Sequence, residues 1–481
     1  PPPPPRLDSS AASDVYKRQV SGGEADLALR HLTVNKDWEV SSGGAVKGVF
    51  ELAPFVPAEN PGLKALGFLT VDAELDAAVE SLGFLDFYLR RVNGMAMDGK
   101  GQLRGHLHYE QGNLVHGTDL KVSADRLALS VPPYQVAGSG GIAIRMSPDQ
   151  PETLGIDILF DALEALHRGD QVPLFTGQGL RVVAQGTARV LPDAARERGQ
   201  GRLALSIPSV QVPDLRVYQR YLPDRWNLEL KGGQGSLQGQ AQFSASDLSA
   251  QLNLVSDDAH LRFKDFRFET NLDLGLKVTG DASGSANVDL SGTYLRLDQA
   301  RLASTKQGGS KPWQASFAIA QGTLGIPLPE GKAQASGFRH LSQVFKAQGM
   351  KQLLASADAK LEADLSVSDL GWVNLLFKND FDLAVAGSGR AAVDLRIHNG
   401  WLARGAKLRV RPRGLEVQVL DYVAQGQGVV ALAVVQGGKQ PDMRLDAQLE
   451  EAWLKRRGEA DAVVEQVTLE LSALARDVAL G

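Results

Sequence analysis

Three histidines lie close together in the sequence and could ligate a metal. His106 and His108 are two residues apart, so on a β-strand both side chains would project from one face, and His116 follows shortly afterwards. Imidazole nitrogens are common ligands of zinc. The matching positions of a related repeat carry residues that cannot form the same site: Asp394, Arg396 and Arg404. We therefore expect a solvent-facing strand surface there and no metal.

Motifs of the common catalytic and nucleotide-binding sites are absent or incomplete. Two Gly-x-Gly pairs, at 99–101 and 233–235, resemble the start of a dinucleotide-binding loop, but Arg104 and Gln238 replace its third glycine. We expect turns or strand kinks at both places. The sequence contains no Gly-x-Ser-x-Gly, no His-Glu-x-x-His and no phosphate-binding lysine loop. Two acidic pairs have loop-like surroundings: Asp257-Asp258 and Glu450-Glu451. We expect no enzymatic activity and no cofactor.

A basic cluster alternates with Leu408 and Val410 late in the chain. Its members are Arg404, Lys407, Arg409, Arg411 and Arg413. Such a cluster could meet lipid phosphates at the rim of an apolar groove. The simpler interpretation, which we favour, is a strand face that points to solvent.

The composition excludes several other classes of protein. The chain has 481 residues, of which 43% are hydrophobic, so wholesale disorder is excluded. The lack of cysteine excludes disulfides, thiolate metal sites and a cysteine nucleophile. A formal net charge of -5 argues against a nucleic-acid partner. The longest apolar run, 429–435, is far shorter than the ~20 residues that cross a bilayer.

Apolar and polar residues alternate with period two through most of the chain. This pattern predicts a mainly β, elongated, mostly antiparallel fold with one apolar face. Lys264-Asp265 lies between two alternating runs, where a tight hairpin fits. Helical patterns are few, with Asp161–His167 and the amphipathic stretch Phe338–Met350 as candidates. The residues predicted to line the apolar face are Leu120, Val122, Leu127, Leu129, Val131, Phe263, Phe266, Phe268, Leu272, Leu274, Leu276, Val278, Val288, Leu290, Leu408, Val410, Leu415, Val417 and Val419.

An internal repeat organises these runs. After a shift of 288 positions, two parts of the chain align without a gap, so that Gly99 and Leu120 fall on Gly387 and Leu408. Glycines and aliphatic residues recur, whereas charged residues drift, which favours a scaffold or a binder of apolar ligands over a catalyst. The first, second and third repeats span about 62–145, 201–300 and 350–435, and the second is degenerate.

The two ends of the chain lack these features. Residues 1–19, with five initial prolines, have neither the apolar core of a signal peptide nor the later alternation, so we treat them as a probable non-native leader. The alternation begins abruptly at Val20 and stops abruptly at Gly481. We therefore expect 20–481 to be a continuous β segment of a longer chain.

The repeat resembles the AsmA-like, TamB-type superfamily of Gram-negative envelope proteins. The resemblance is carried by Asp-Leu pairs that begin short helices, Asp214-Leu215 and Asp369-Leu370, and by Gly-x-Gly-x-Leu-x-Gly runs at 99–105 and 233–239. It implies a taco-shaped β-groove whose open apolar face carries phospholipid across the periplasm. It also implies an N-terminal inner-membrane anchor, which we expect in the longer chain outside this segment, and an outer-membrane protein as a partner.

Alternation alone does not separate an open groove from a closed sandwich, and the resemblance favours the groove. We therefore expect a periplasmic segment of a lipid-transfer or outer-membrane-biogenesis protein, with phospholipids as ligands. The alternative is a structural or adhesive β-repeat with a closed core and no ligand. A carbohydrate-active β-helix enzyme would need carboxylates clustered on one face, and the repeats offer none.

Overall fold

The computed structural model of the chain consists mostly of antiparallel β-strands. About 77% of the residues that it describes are in strands and about 5% are helical, which confirms the mainly β prediction. The residues it describes are 20–29, 32–33, 39–56, 59–60, 62–85, 96–146, 153–187, 201–222, 224, 227–244, 247–263, 266–281, 287–302, 312–325, 358–369, 383–419, 421–459, 461 and 463–476.

The chain divides into two compact lobes. The N-terminal lobe comprises 1–170 and 176–208, and the C-terminal lobe comprises 171–175 and 209–481. The boundary between the lobes falls within two strands, β10 and β12, so each of these strands contributes residues to both lobes.

The strands of the first part of the chain are β1 Val20–Leu29, β2 Leu32–Thr33, β3 Glu39–Leu52, β4 Leu69–Val79, β5 Ala96–Glu110, β6 Asn113–Leu114, β7 Asp119–Val131, β8 Tyr134–Met146, β9 Thr153–His167, β10 Phe175–Gly177, β11 Leu180–Thr187 and β12 Arg202–Val212. Antiparallel pairing runs in the order β1, β3, β4, β5, β7, β8, β9, β11 and β12. Short β2 and β6 pair with β3 and β5 respectively.

The remaining strands are β13 Leu228–Gly232, β14 Gly235–Phe243, β15 Asp247–Phe263, β16 Phe266–Asp281, β17 Asn287–Asp289, β18 Tyr294–Leu302, β19 Trp313–Gly325, β20 Asp358–Val367, β21 Leu383–His398, β22 Trp401–Leu402, β23 Lys407–Val419, β24 Tyr422–Gln436, β25 Asp442–Arg456 and β26 Val464–Ala475. Both β13 and β14 pair with β15. From β15 the antiparallel order continues through β16, β18, β19, β20, β21, β23, β24, β25 and β26.

The first and third repeats fold alike. After the shift of 288 positions, β4, β5, β7 and β8 each begin within one residue of β20, β21, β23 and β24. Irregularities recur in the same region, because the pairing register shifts between Lys100 and Gly101, close to Gly99, in one repeat and at Gly387 in the other. Both glycines have positive φ angles, of 153° and 132°, which residues with a side chain rarely adopt.

Short 3-10 helices interrupt the strands at Gly62–Phe68, Leu82–Leu85 and Leu215–Tyr221. The last confirms the short helix predicted at Asp214-Leu215. The Asp214 carboxylate caps it by accepting a hydrogen bond from the Arg216 amide, 2.9 Å away. A second hydrogen bond, from the Arg216 side chain, lowers the pKa of Asp214. Leu215 and Val217 are buried, so this helix packs one side against the strands.

Three sequence predictions about local structure have different outcomes. The hairpin around Lys264-Asp265 is confirmed, because Phe263 pairs with Phe266 on either side of it. The helix predicted at Asp161–His167 is wrong. These residues end β9, where Leu163 and Ala165 are buried and alternate with exposed neighbours, a strand period that so short a segment did not separate from a helical one. The predicted helix at Phe338–Met350 lies outside the described residues. So does Leu370, the second residue of the Asp369-Leu370 pair that was predicted to begin a short helix.

Tyr218, in the short helix Leu215–Tyr221, makes a contribution to the stability of the fold that depends on pH. Its hydroxyl donates a hydrogen bond to the Leu174 carbonyl at 3.0 Å, and burial raises its pKa to about 12. An unfolded tyrosine ionises near pH 10. The folded protein should therefore lose stability as the pH rises from about 10 to about 12, because only the unfolded state releases this proton there.

We predict that Tyr218→Phe lowers the free energy of unfolding by about 1 kcal/mol at neutral pH, through loss of the hydrogen bond. The variant should also lose less stability than the unmodified protein between pH 10 and 12. Denaturant unfolding at a series of pH values measures both effects. Tyr134→Phe, at an exposed ring, is the matched control and should change neutral-pH stability little. Identical pH profiles for Tyr218→Phe and the unmodified protein would contradict the assignment.

Candidate apolar binding face

Strand pairing brings the alternating apolar residues of the C-terminal lobe onto one face. Directly paired residues of neighbouring strands project from the same side of a sheet. Following these pairs across ten strands gives a row without a charged or polar member: Leu237, Leu254, Leu274, Leu295, Phe317, Leu365, Ala391, Val410, Val430 and Ala447. At ~4.8 Å per strand the row is about 43 Å long. We call it the C-lobe row.

The N-terminal lobe has a row of the same kind. It crosses eight strands through Val46, Leu75, Gly105, Leu120, Ile144, Ile156, Ala184 and Leu203. None of these residues is charged, and at ~4.8 Å per strand this N-lobe row is about 34 Å long. Each lobe therefore contains an uninterrupted apolar stripe perpendicular to its strands.

The rows are only half covered. All eight members of the N-lobe row are half-buried. In the C-lobe row, Leu237, Leu254 and Ala391 are buried, while the members from Leu274 to Leu365 and from Val410 to Ala447 are half-buried. Side chains in the core of a closed sandwich would be buried. These side chains keep part of their surface accessible.

Short helices cover parts of the apolar face of the N-terminal lobe. Tyr109, Val71 and Ala73 form a cluster beneath the Gly62–Phe68 helix, and the Tyr109 hydroxyl donates to the Leu66 carbonyl at 3.1 Å. Leu82 of the second short helix is fully buried. The N-lobe row lies between these contacts, along the more open part of the face.

The predicted lining residues fall on these apolar faces. Strand β7 places Leu120, Val122, Leu127, Leu129 and Val131 at paired positions facing the apolar residues of β8. The C-terminal lobe does the same for Phe263, Phe266, Phe268, Leu272, Leu274, Leu276, Val278, Val288, Leu408, Val410, Leu415 and Val417. Leu290 follows the end of β17 and is half-buried. The side chain of Val419 lies outside the described residues.

Exposure varies widely within this set. Leu127 is 1% exposed and Leu415 is 2% exposed, so both belong to packed regions, whereas Leu276 is 37% exposed. Sequence alternation therefore identified the apolar face but did not distinguish its packed from its open parts. It also omitted Leu237, Phe317 and Val430, whose own strands show the same alternation.

The opposite face is polar and carries ladders of charge. In the N-terminal lobe, Arg145 contacts Asp119 at 3.0 Å, and Arg181 pairs with Asp157 on the neighbouring strand. In the C-terminal lobe, hydrogen bonds from Lys231 and Arg262 lower the pKa of Glu229. Exposed pairs of this kind add little stability individually, but they keep one face of each sheet well hydrated.

The basic cluster belongs to this polar face. Lys407, Arg409 and Arg411 pair with Asp394, Ala392 and Arg390 of β21. They therefore alternate with Leu408 and Val410 and project from the opposite side of β23. The outward-face interpretation agrees with this placement.

The histidines His106 and His108 also project from the polar face, as predicted. The structure adds a partner that sequence reasoning missed, Asp72 of β4, which pairs directly with His108. The Nε2 atom of His106 lies 2.6 Å from Asp72 Oδ1, and that of His108 lies 3.6 Å from the same oxygen. Asp72 lies on the preceding strand, more than 30 residues before the histidines, so no local sequence motif predicts its contact with them.

The remaining motifs have structural roles. The Gly-x-Gly pairs lie in strand β5 and at the junction of β13 and β14 rather than in nucleotide-binding loops. An added Cβ at Gly233 would lie only 2.6 Å from the Asp258 carbonyl, so the glycine permits a close approach of two backbones. The Asp258 carboxylate accepts a hydrogen bond from the Gln234 amide at 2.8 Å, which fastens this junction to β15.

Comparisons with known proteins do not assign the chain to a family. No family model, curated protein or solved structure matches it. Among the described residues, no helix combines the length and apolar character that a membrane crossing requires.

The accessibility of the apolar face can be measured by thiol labelling, because the chain contains no cysteine. We predict that Leu120→Cys reacts at least about tenfold faster with a maleimide than Leu127→Cys, since buried positions react mainly through local opening. Both residues lie on the same face of β7 and differ in burial. Equal, slow labelling at the two positions would show that the N-lobe row is covered.

Proposed function

We propose that this chain is a periplasmic segment of a lipid-transfer or outer-membrane-biogenesis protein that shelters phospholipid acyl chains on its apolar faces. The observation that carries the proposal is the C-lobe row, in which ten neighbouring strands each contribute one residue and none of these residues is charged or polar. The proposal includes the tether to the inner membrane and the outer-membrane partner that the family resemblance implies.

The dimensions of the rows suit an acyl chain. The hydrocarbon core of a bilayer is ~30 Å thick and contains two leaflets, so one acyl chain extends about 15 Å. Each row is at least twice as long as that. A lipid could therefore lie along a row and still have further apolar surface beyond it.

The chemistry of the rows suits movement as much as binding. Removing an acyl chain from water is worth about 0.8 kcal/mol per methylene, so an exposed diacyl lipid faces a large barrier to leaving a membrane. Apolar side chains such as Leu274, Leu295 and Phe317 offer similar contacts at successive strands. A chain of methylenes can shift by one strand without crossing a charged position, and no single position holds it tightly.

The polar faces support the same arrangement. Because the charged ladders lie on the opposite side of each sheet, hydration of the protein does not require charges within the apolar rows. A lipid headgroup can remain in water at the edge of a row while its acyl chains contact the aliphatic side chains.

Lipid extraction from the purified full chain, followed by mass spectrometry, tests the proposal. We predict that phospholipid co-purifies with the protein and that Leu120→Glu together with Val430→Glu lowers its amount by about tenfold. This corresponds to roughly 1.4 kcal/mol, the loss of contact with about two methylenes.

Two variants provide matched controls on the same strands. Ser123→Glu and Ala431→Glu introduce the same change of charge at residues that project from the polar face, and should leave lipid content unchanged. Equal loss in both sets would contradict the proposal. An unmodified protein without lipid, combined with Glu variants that unfold, would favour the structural β-repeat with a closed core.

A further inference from the structure

We propose that Asp72, His106 and His108 form a binding site for a divalent first-row transition metal on the polar face of the N-terminal lobe. The three residues are the one group of metal-ligating side chains, within the described part of the chain, whose ligand atoms all lie within 4.8 Å of one another. The inference is independent of lipid binding, since it concerns the opposite face of the sheet.

The pairing of β4 with β5 creates the site. Asp72 is directly opposite His108, and His106 is opposite Glu74, two residues further along. Alternation puts all of these side chains on one side of the sheet. Two histidines from one strand and a carboxylate from the next thus meet without a loop having to fold over them.

The distances require only small adjustments for a metal. Both imidazole Nε2 atoms already point at Asp72 Oδ1, at 2.6 and 3.6 Å. Around a tetrahedral zinc with bonds of ~2.0–2.1 Å, ligand atoms are separated by about 3.3 Å. The metal would replace the hydrogen bond between His106 and Asp72 and move these atoms by less than about 1 Å. The two rings stack with centroids 4.3 Å apart, so both Nε2 atoms can face one ion.

The backbone around His108 is fixed by the fold. The Thr118 hydroxyl accepts a hydrogen bond from the His108 amide at 3.1 Å and donates one to the His108 carbonyl at 2.8 Å. Thr118 is buried. The ring of His108 lies over Gly117, where an added Cβ would come within 2.9 Å of Cδ2 and 3.0 Å of Nε2. The missing side chain at Gly117 therefore leaves room for this imidazole.

The third repeat keeps the same scaffold with other chemistry. The residues that match Asp72, His106 and His108 are Lys360, Asp394 and Arg396. Gly405 takes the place of Gly117, and an added Cβ there would lie 3.2 Å from the Arg396 guanidinium. The space beside Gly405 is thus occupied by the Arg396 side chain, whose guanidinium lies 3.1 Å from the Asp394 carboxylate. Of these two repeats, only the first carries a set of side chains that could ligate a metal.

The donor set indicates the class of ion. Two imidazole nitrogens and one carboxylate suit zinc, nickel or copper, whereas magnesium and calcium prefer oxygen ligands throughout. The side chains of Asp72, His106 and His108 are 55%, 39% and 31% exposed. Water or an external ligand could therefore complete the coordination of the ion.

Titration of the full chain with Zn²⁺ by isothermal calorimetry tests the site. We expect one saturable site whose affinity falls at least about tenfold in His108→Arg, which installs the residue of the third repeat, and in Asp72→Asn. The control is His398→Ala. His398 contacts a single carboxylate, that of Asp358, at 3.0 Å, so this variant should bind zinc as the unmodified protein does.

A second measurement separates loss of the site from loss of the fold. Zn²⁺ should raise the thermal unfolding temperature of the unmodified protein and of His398→Ala, but not that of His108→Arg or Asp72→Asn. Circular dichroism without metal should be the same for all four proteins. Undetectable saturable zinc binding by the unmodified protein, or unchanged affinity in both site variants, would overturn the proposal.

Discussion

The apolar faces depend on one constraint, that the period-two alternation stays in phase from strand to strand. A shift of the pairing by one residue would turn every side chain of a strand to the other side of the sheet. The bulges of this protein preserve that phase. Between Val410 and Leu415, strand β23 advances five residues while its neighbour advances four, from Val430 to Gly426. The extra residue is absorbed there, and Leu415 and Val417 remain on the apolar side.

This constraint explains which features could be predicted from the sequence. Alternation predicted the strands, the hairpin around Lys264-Asp265 and the face on which Leu120 or Val410 lies, because those depend on local order. It could not predict how much of each side chain stays accessible, since that depends on which helix or strand end packs nearby. Leu127 and Leu276 belong to the same pattern, yet one is buried and the other exposed.

The errors and omissions have related causes. Asp161–His167 is too short for the period of its apolar residues to distinguish a helix from a strand. The segment is a strand because it pairs with β8. The juxtaposition of Asp72 with His106 and His108 arises from the register of β4 with β5, which the sequence does not state. The sequence argued against a metal because Asp394 and Arg396 replace the two histidines in the third repeat. Those replacements exclude only a metal site common to both repeats, and a site confined to the first repeat is not affected by them.

The coincidence of bulges and glycines between the first and third repeats also bears on how such a chain can change in evolution. Gly99 and Gly387 occupy matching positions and each lies close to a register shift in the pairing of its strand. A duplicated segment of this kind can be inserted in frame without disturbing the order of pairing on either side. The number of strands can thus change with the number of copies, while substitutions on the polar face of each copy can acquire new roles at little structural cost.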